Sequence, residues 1–178
     1  DIAQETSEEL TPSKRKGIEL HHAVEENNIV ALQNLLDALP DDAEQRKKIL
    51  ENRAFLGETV LILAAEKKNV AAVTALLAAK ADVNAKSLAG KTALVAYASG
   101  YRVEDDQVTI PRLLIAAHAD IAAVDLRGSS ALHYIASTPH NNKTAQLLLD
   151  ARADMRIQNQ QLETPLQLAI QARNHRVI

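Results

Sequence analysis

The sequence predicts an all-α solenoid in which one helix-turn-helix unit is stacked about five times, and three observations lead there. An octet is written three times with small changes, LLAAKADV at 76–83, LIAAHADI at 114–121 and LLDARADM at 148–155, its Asp residues falling 38 and 34 residues apart. Self-similarity at such a period marks architectures in which one supersecondary unit recurs and touches only its neighbours. A second signal lies upstream of each copy: G-x-T-x-L at 57–61 and 90–94, GSSAL at 128–132 and LETPL at 162–166. The third is composition. The 178 residues include one Phe, three Tyr and no Trp, so the core must be made of Ala, Leu, Ile and Val, and Ala lets helices approach closely.

Residues 1–16 are polar and form an N-terminal segment or cap, with a capping turn expected around Thr11 and Pro12. The first unit, 17–53, is degenerate. It lacks the Ala-Asp link; in its place PDDAEQRKKIL reads as a Pro40 stop, an Asp42 cap and an extra helical turn or two, stretching the Gly17-to-Gly57 step to 40 residues. The second unit, 54–86, opens on Thr59, whose short hydroxyl suits a helix N-cap. An apolar run at 61–65 gives about two helical turns. The polar breakers Lys67, Lys68 and Asn69 follow, then a helix over 70–79 and an extended Ala-Asp-Val link. The third unit, 87–124, is capped by Thr92. It carries Tyr97 where a helix-interior Ala is expected, so its helices should part locally, and it has a five-residue insertion within SGYRVEDDQVTIP. Ser130 caps the fourth unit, 125–158. The partial fifth, 159–178, has Thr164 as cap and Pro165 at the first helical position, where its missing donor costs nothing. It stops early in its second helix, so further residues are expected beyond Ile178, because solenoids need a polar terminal cap.

This arrangement resembles the ankyrin repeat, whose pattern runs G-x-T-P-L-H-x-A-A through L-L-x-x-G-A-D-V-N. The best single match is GETVLILAAEKKNVAAVTALLAAKADVNA at 57–85, and the resemblance covers about 17–178. It implies an ankyrin-repeat solenoid with short β-hairpin-like links, acting as a non-catalytic protein-binding module through its hairpin tips and concave face. By the same resemblance His21 and His133 take the place of the family's histidine and tie neighbouring loops together by hydrogen bonds. In a eukaryotic cytosol, Asn84 would be an asparagine-hydroxylation site on that resemblance. Lys80, His118 and Arg152 depart from the pattern, standing where the family has Gly. If they adopt a left-handed conformation, each costs up to ~1 kcal/mol relative to Gly.

Other functions find little support. Formal net charge is −3, and no basic face with interleaved aromatics speaks for nucleic acid. No apolar run approaches the ~20 residues of a membrane span. The absence of Cys excludes disulfides, thiolate metal sites and Cys nucleophiles. No cofactor, metal or catalytic residue is predicted. His21, His22 and Glu25 lack a third ligand at metal-site spacing. Ser130, His133 and Asp125 read as a helix cap beside a structural histidine, and no glycine-rich phosphate loop is present. Glu104, Asp105 and Asp106 read as a solvated loop, since Ca²⁺ needs more oxygens at set spacing.

The partner-binding candidates lie between the copies. Phe55, Leu88 and Leu126 stand two residues before a repeat glycine, with Gln160 in the same place in the last unit. Stacking puts these in one column, and an apolar ridge of that kind marks a partner surface with an aromatic hot spot. The same side chains could instead fold sideways onto one another and stiffen the hairpins; both readings stand. Leu56, Glu58, Glu66, Lys67, Lys86, Lys91, Arg127, Ser129, Gln161 and Glu163 flank the column as a rim. Tyr101, on the insertion, adds an amphipathic contact. The insertions at 39–52 and 100–109 would extend the reach towards one partner. A monomer is expected in isolation. The irregular repeats, the absence of Cys and the Asp1 start are similar to bacterial ankyrin proteins exported to the periplasm, some of which inhibit, or give immunity to, secreted or cell-wall-degrading enzymes. A periplasmic or secreted inhibitor is therefore expected; the alternative is a cytosolic regulatory scaffold, or the ankyrin segment of a larger secreted effector.

Overall fold

Among the described residues every helix but the first has nine residues or fewer, so its ends decide whether it forms, because the first four N–H groups and the last four carbonyls of a helix lack partners within it. The computed structural model describes residues 11–54, 56–100, 108–138 and 142–172. Among these are ten helices: α1 (Pro12–Glu25), α2 (Ile29–Asp37), α3 (Ala43–Leu50), α4 (Val60–Glu66), α5 (Val70–Ala78), α6 (Ala93–Ser99), α7 (Thr109–Ala116), α8 (Ala131–Ala136), α9 (Asn142–Asp150) and α10 (Pro165–Gln171). Small polar residues open most of them. Thr59 accepts from the Ile62 N–H, Thr92 from Val95 and Thr164 from Gln167, while Asn28 and Asn69 do the same for α2 and α5. Asp42 accepts from both Glu44 and Gln45, so the stretch after Pro40 is a full two-turn helix. Thr11 and Pro12 open α1, upstream of the expected start at Gly17.

The thrice-written octet is a helix stop. In all three copies the left-handed residue donates to the second aliphatic's carbonyl and the next residue donates to the first: Lys80 to Leu77 and Ala81 to Leu76, His118 to Ile115 and Ala119 to Leu114, Arg152 to Leu149 and Ala153 to Leu148. This is the Schellman arrangement, which satisfies two orphan carbonyls. Lys80, His118 and Arg152 have φ of 69°, 64° and 67°, the left-handed conformation that favours Gly. The octet's Asp does not lead into the expected extended link. Its carboxylate accepts from the backbone two residues on, Asp82 from Asn84 (2.9 Å), Asp120 from Ala122 (3.0 Å) and Asp154 from Arg156 (2.8 Å), and this bends the chain into a turn. Asn84 then bridges to the following link, donating to the His118 carbonyl and accepting from the Asp120 N–H.

The helices stack in two rows. An inner row of α1, α4, α6, α8 and α10 packs in sequence, an outer row of α2, α5, α7 and α9 runs beside it, and α3 rests on α1. Leu20, Leu61, Leu76, Leu94, Leu114 and Leu132 fill the seams and are essentially inaccessible to solvent. Tyr97 is also buried, in the register position held by Ala64 in α4 and Ala169 in α10, and the Lys68 ammonium lies 5.9 Å from its ring centre. Gly17 is not a turn glycine. It sits inside α1, where a Cβ would come within 2.3 Å of the Asn52 Cβ, so its bare backbone admits the chain leaving α3. Among the described residues, no helix is long and apolar enough to cross a membrane.

Candidate protein-binding face

Four hairpins project from one edge of the stack, each closed by a backbone pair: Ala54 to Glu58, Ser87 to Lys91, Asp125 to Ser129 and Asn159 to Glu163. Their links are turns, with one isolated antiparallel bridge, Val124 to Ser130, among the described residues. Each tip needs positive φ, at Gly57 (+67°), Gly90 (+76°), Gly128 (+72°) and Leu162 (+60°). Side chains lock the turns from within: Asp125 accepts from the Arg127 and Ser129 N–H groups, and Asn159 from those of Gln161 and Glu163. Successive tips are joined along the stack, Leu88 N–H to the Leu56 carbonyl, Leu126 to Ala89 and Gln160 to Arg127. The Arg53 guanidinium adds a tie between the Gly57 and Lys86 carbonyls. The edge is thus a preformed, cross-linked row.

On it Leu88 is 72 % and Leu126 67 % exposed, large values for leucines held on ordered backbone. Leu88 also leans sideways: a Cβ on Gly57 would come within 2.4 Å of its Cγ. Leu88 thus lies against the backbone of the preceding tip while most of its side chain stays exposed. Gln160 continues the row, its amide donating to the Leu126 carbonyl (2.7 Å). Leu56 is exposed beside it, as are Lys67, Lys86, Arg127 and Gln161, while Glu58, Glu66, Lys91 and Glu163 are half-buried at the hairpin bases. Ser129 is a correction. It is buried, its hydroxyl turned inward to Tyr134, and it cannot form part of an exposed rim. Phe55 and Tyr101 lie outside the described residues.

The histidines hold neighbouring units together. His21 Nε2 lies 3.0 Å from the Glu58 carbonyl and His133 Nε2 3.3 Å from that of Glu163, the same contact three units apart. His21 Nδ1 faces the Gly17 carbonyl at 2.8 Å, whereas His133 Nδ1 accepts from the Ser130 N–H at 3.1 Å. Burial pushes the His133 imidazole below its ordinary value, against the opposing pull of the Glu163 and Ile157 carbonyls. Ser130 and His133 are buried, and Asp125 faces its own turn and the Tyr134 hydroxyl. The three form a cap, a tie and a turn, with no approach for a substrate. Tyr134 is pushed up to about 12, first by burial and then by donating to Asp125.

One column escaped the sequence reading. His22, Leu63, Tyr134 and Leu168 follow the histidine position in their units, and Glu25 and Glu66 lie one turn further on. The third unit's equivalent, Ala96, is buried and interrupts the column, and His22, Leu63 and the two glutamates face open space beside α1 and α4. The signal that could have found them is the repeat register itself, read one residue past the histidine. Two cavities open there, of about 490 and 360 Å³, sharing Glu25 and Ala54. Within the second, burial and the neighbouring Glu66 raise the Glu58 carboxyl above the ordinary carboxylate range, with Lys91 and His21 opposing. Among the described residues no cluster of three or more His, Asp or Glu is placed to hold a metal ion.

Comparison with known families places this geometry. A model described as ankyrin repeats (3 copies) matches residues 20–121, and one described as ankyrin repeat matches residues 127–160. Among curated proteins, none matched the chain.

Proposed function

The chain belongs to the ankyrin-repeat family, whose repeats indicate a protein–protein interaction module, and from that premise we propose that it is a non-catalytic binder that inhibits an enzyme of the periplasm or cell wall by covering its active site. The observation that carries the reading is the pair Leu88 and Leu126, exposed on adjacent tips whose backbones are hydrogen-bonded together. Two leucines held out on a rigid edge leave little chain entropy to lose on docking, and a preformed ridge suits a partner that offers a preformed cleft. An enzyme's substrate cleft is such a partner. A chain without cysteine is chemically compatible with an oxidising compartment.

The test is capture of the partner from the native cell envelope by the wild type and by a Leu88→Asp/Leu126→Asp variant, followed by assay of the captured enzyme. The expected result is a hydrolase that loses activity in proportion to bound inhibitor, with affinity reduced about 30-fold or more in the variant while its melting temperature holds. Equal capture by the folded variant would remove the ridge. A partner without enzymatic activity would instead favour a regulatory scaffold.

A further inference from the structure

The two adjoining cavities form one groove beside the N-terminal units, since Glu25 and Ala54 line both. Its walls are mixed in a particular way. Ile18, 47 % exposed, and Leu56, 59 % exposed, offer apolar surface with Ala54 between the cavities, and Leu63 lies along the second. Glu25, Glu58 and Glu66 line the second cavity, and none of the three is in an ion pair among the described residues.

The nearby cations are committed elsewhere or stand at the margin. The Arg53 guanidinium is held by the carbonyls of Gly57 and Lys86. His22 pairs with Glu26, Lys67 lines the second cavity, and Lys91 acts on Glu58 from the next unit. Three carboxylates against the Lys67 ammonium leave the second cavity electronegative, while the Arg53 guanidinium lines the first. Burial, and after it the charge of Glu66, disfavour ionised Glu58, and an incoming cation opposes the second of these.

We propose that this groove receives an extended segment of the partner protein carrying a lysine or arginine next to an aliphatic residue. The cationic head lies among Glu25, Glu58 and Glu66, and the aliphatic side chain packs against Ile18 and Leu56. The groove deepens the protein-binding reading given above and rests on it. Charge complementarity with the carboxylates selects the cation and sets register, while the apolar walls supply contact area.

The test uses the whole chain against a displayed library of random dodecapeptides, with the selected peptides resynthesised. Recurrence of a Lys or Arg beside an aliphatic residue is expected, with binding weakened about tenfold or more when that residue becomes norleucine or citrulline. The isosteric Glu58→Gln/Glu66→Gln variant, checked for folding by circular dichroism, should lose most of the preference for charged over neutral peptides, Glu25 alone remaining. Amide shifts on peptide addition should gather at Leu56, Leu63 and Glu66. Selection of no peptide, a consensus without a basic residue, or a preference undiminished in the double variant overturns the groove. Shifts confined to Leu88 and Leu126 overturn it too, yet leave the protein-binding reading standing. That broader reading falls separately, if the folded wild type captures no protein from the native cell envelope.

Discussion

His133 can make both of its bonds only as a neutral ring, because Nδ1 accepts from the Ser130 N–H while Nε2 donates to the Glu163 carbonyl. Its folded value lies below the usual 6.5, so on acidification the unfolded chain takes up the proton first. The stability this ring contributes is complete above about 6.5 and is lost as pH falls through that value toward the folded one. Melting curves between pH 7.5 and 5 should fall accordingly, and His133→Ala should flatten that part of the slope. The same variant leaves the buried Ser130 N–H unpaired and the Glu163 carbonyl with only the Asn159 N–H, and so should cost about 2 kcal/mol at pH 7.5. Glu58 has the opposite sign. Its folded value is raised above the usual 4.5, so ionisation works against the fold, and stability declines as pH rises from below 4.5 through the folded value. Glu58→Gln should therefore raise the melting temperature slightly at pH 7 and leave it unchanged at pH 3.5. The gain is small because the carboxyl is half exposed and screened by solvent.

At the scale of the element, the left-handed residues that end α5, α7 and α9 carry correctable strain. Lys80→Gly, His118→Gly and Arg152→Gly should each stabilise by up to ~1 kcal/mol, and the triple variant should approach their sum, since separated sites add. Urea titrations of the single and triple variants would measure it. Gly90→Ala runs the other way. Its φ is +76°, and a Cβ would lie 3.0 Å from the Leu126 nitrogen and 3.2 Å from the Asp125 carbonyl carbon, both backbone. A loss of about 2 kcal/mol is expected. These features were legible because they are local: a hydroxyl three residues before its N–H partner, or a helix stop within one octet, is written in adjacent letters. Gly17 and Ser129 were misread because their roles are not local. The first depends on Asn52 arriving from beyond α3, and the second on Tyr134 turning back towards the hairpin. Asp82 was misread for a different reason: an Asp between apolar residues fits an extended link as well as a turn, until the Asn84 N–H is seen to bond it.

Across the whole molecule, stability is carried by contacts between adjacent units, α1 with α4, α4 with α6, α6 with α8 and α8 with α10, mirrored in the outer row. That order of stacking is implied by any repeat at this period. The column of His22, Leu63, Tyr134 and Leu168 is not, because it exists only once the units are superposed, and its residues share no chemical type. Nearest-neighbour coupling predicts that a lesion in the centre and one at an end have different reach. Tyr97 lies in α6, 2 % exposed, between α4 and α8. Tyr97→Ala removes a buried ring where the neighbouring units have smaller residues and little freedom to collapse, which should cost about 3–4 kcal/mol. Hydrogen exchange should then speed up not only in α6 but also in α4 and α8, since each loses the partner against which it is buried. Leu168→Ala, in the half-buried end helix α10, should accelerate exchange in α10 and α8 while α1 to α5 keep their protection. Uniform acceleration over all ten helices in both variants would mean that the stack opens as one unit. Accelerations confined to neighbours would mean that the N-terminal units, with the groove between α1 and α4, hold their shape when the far end frays.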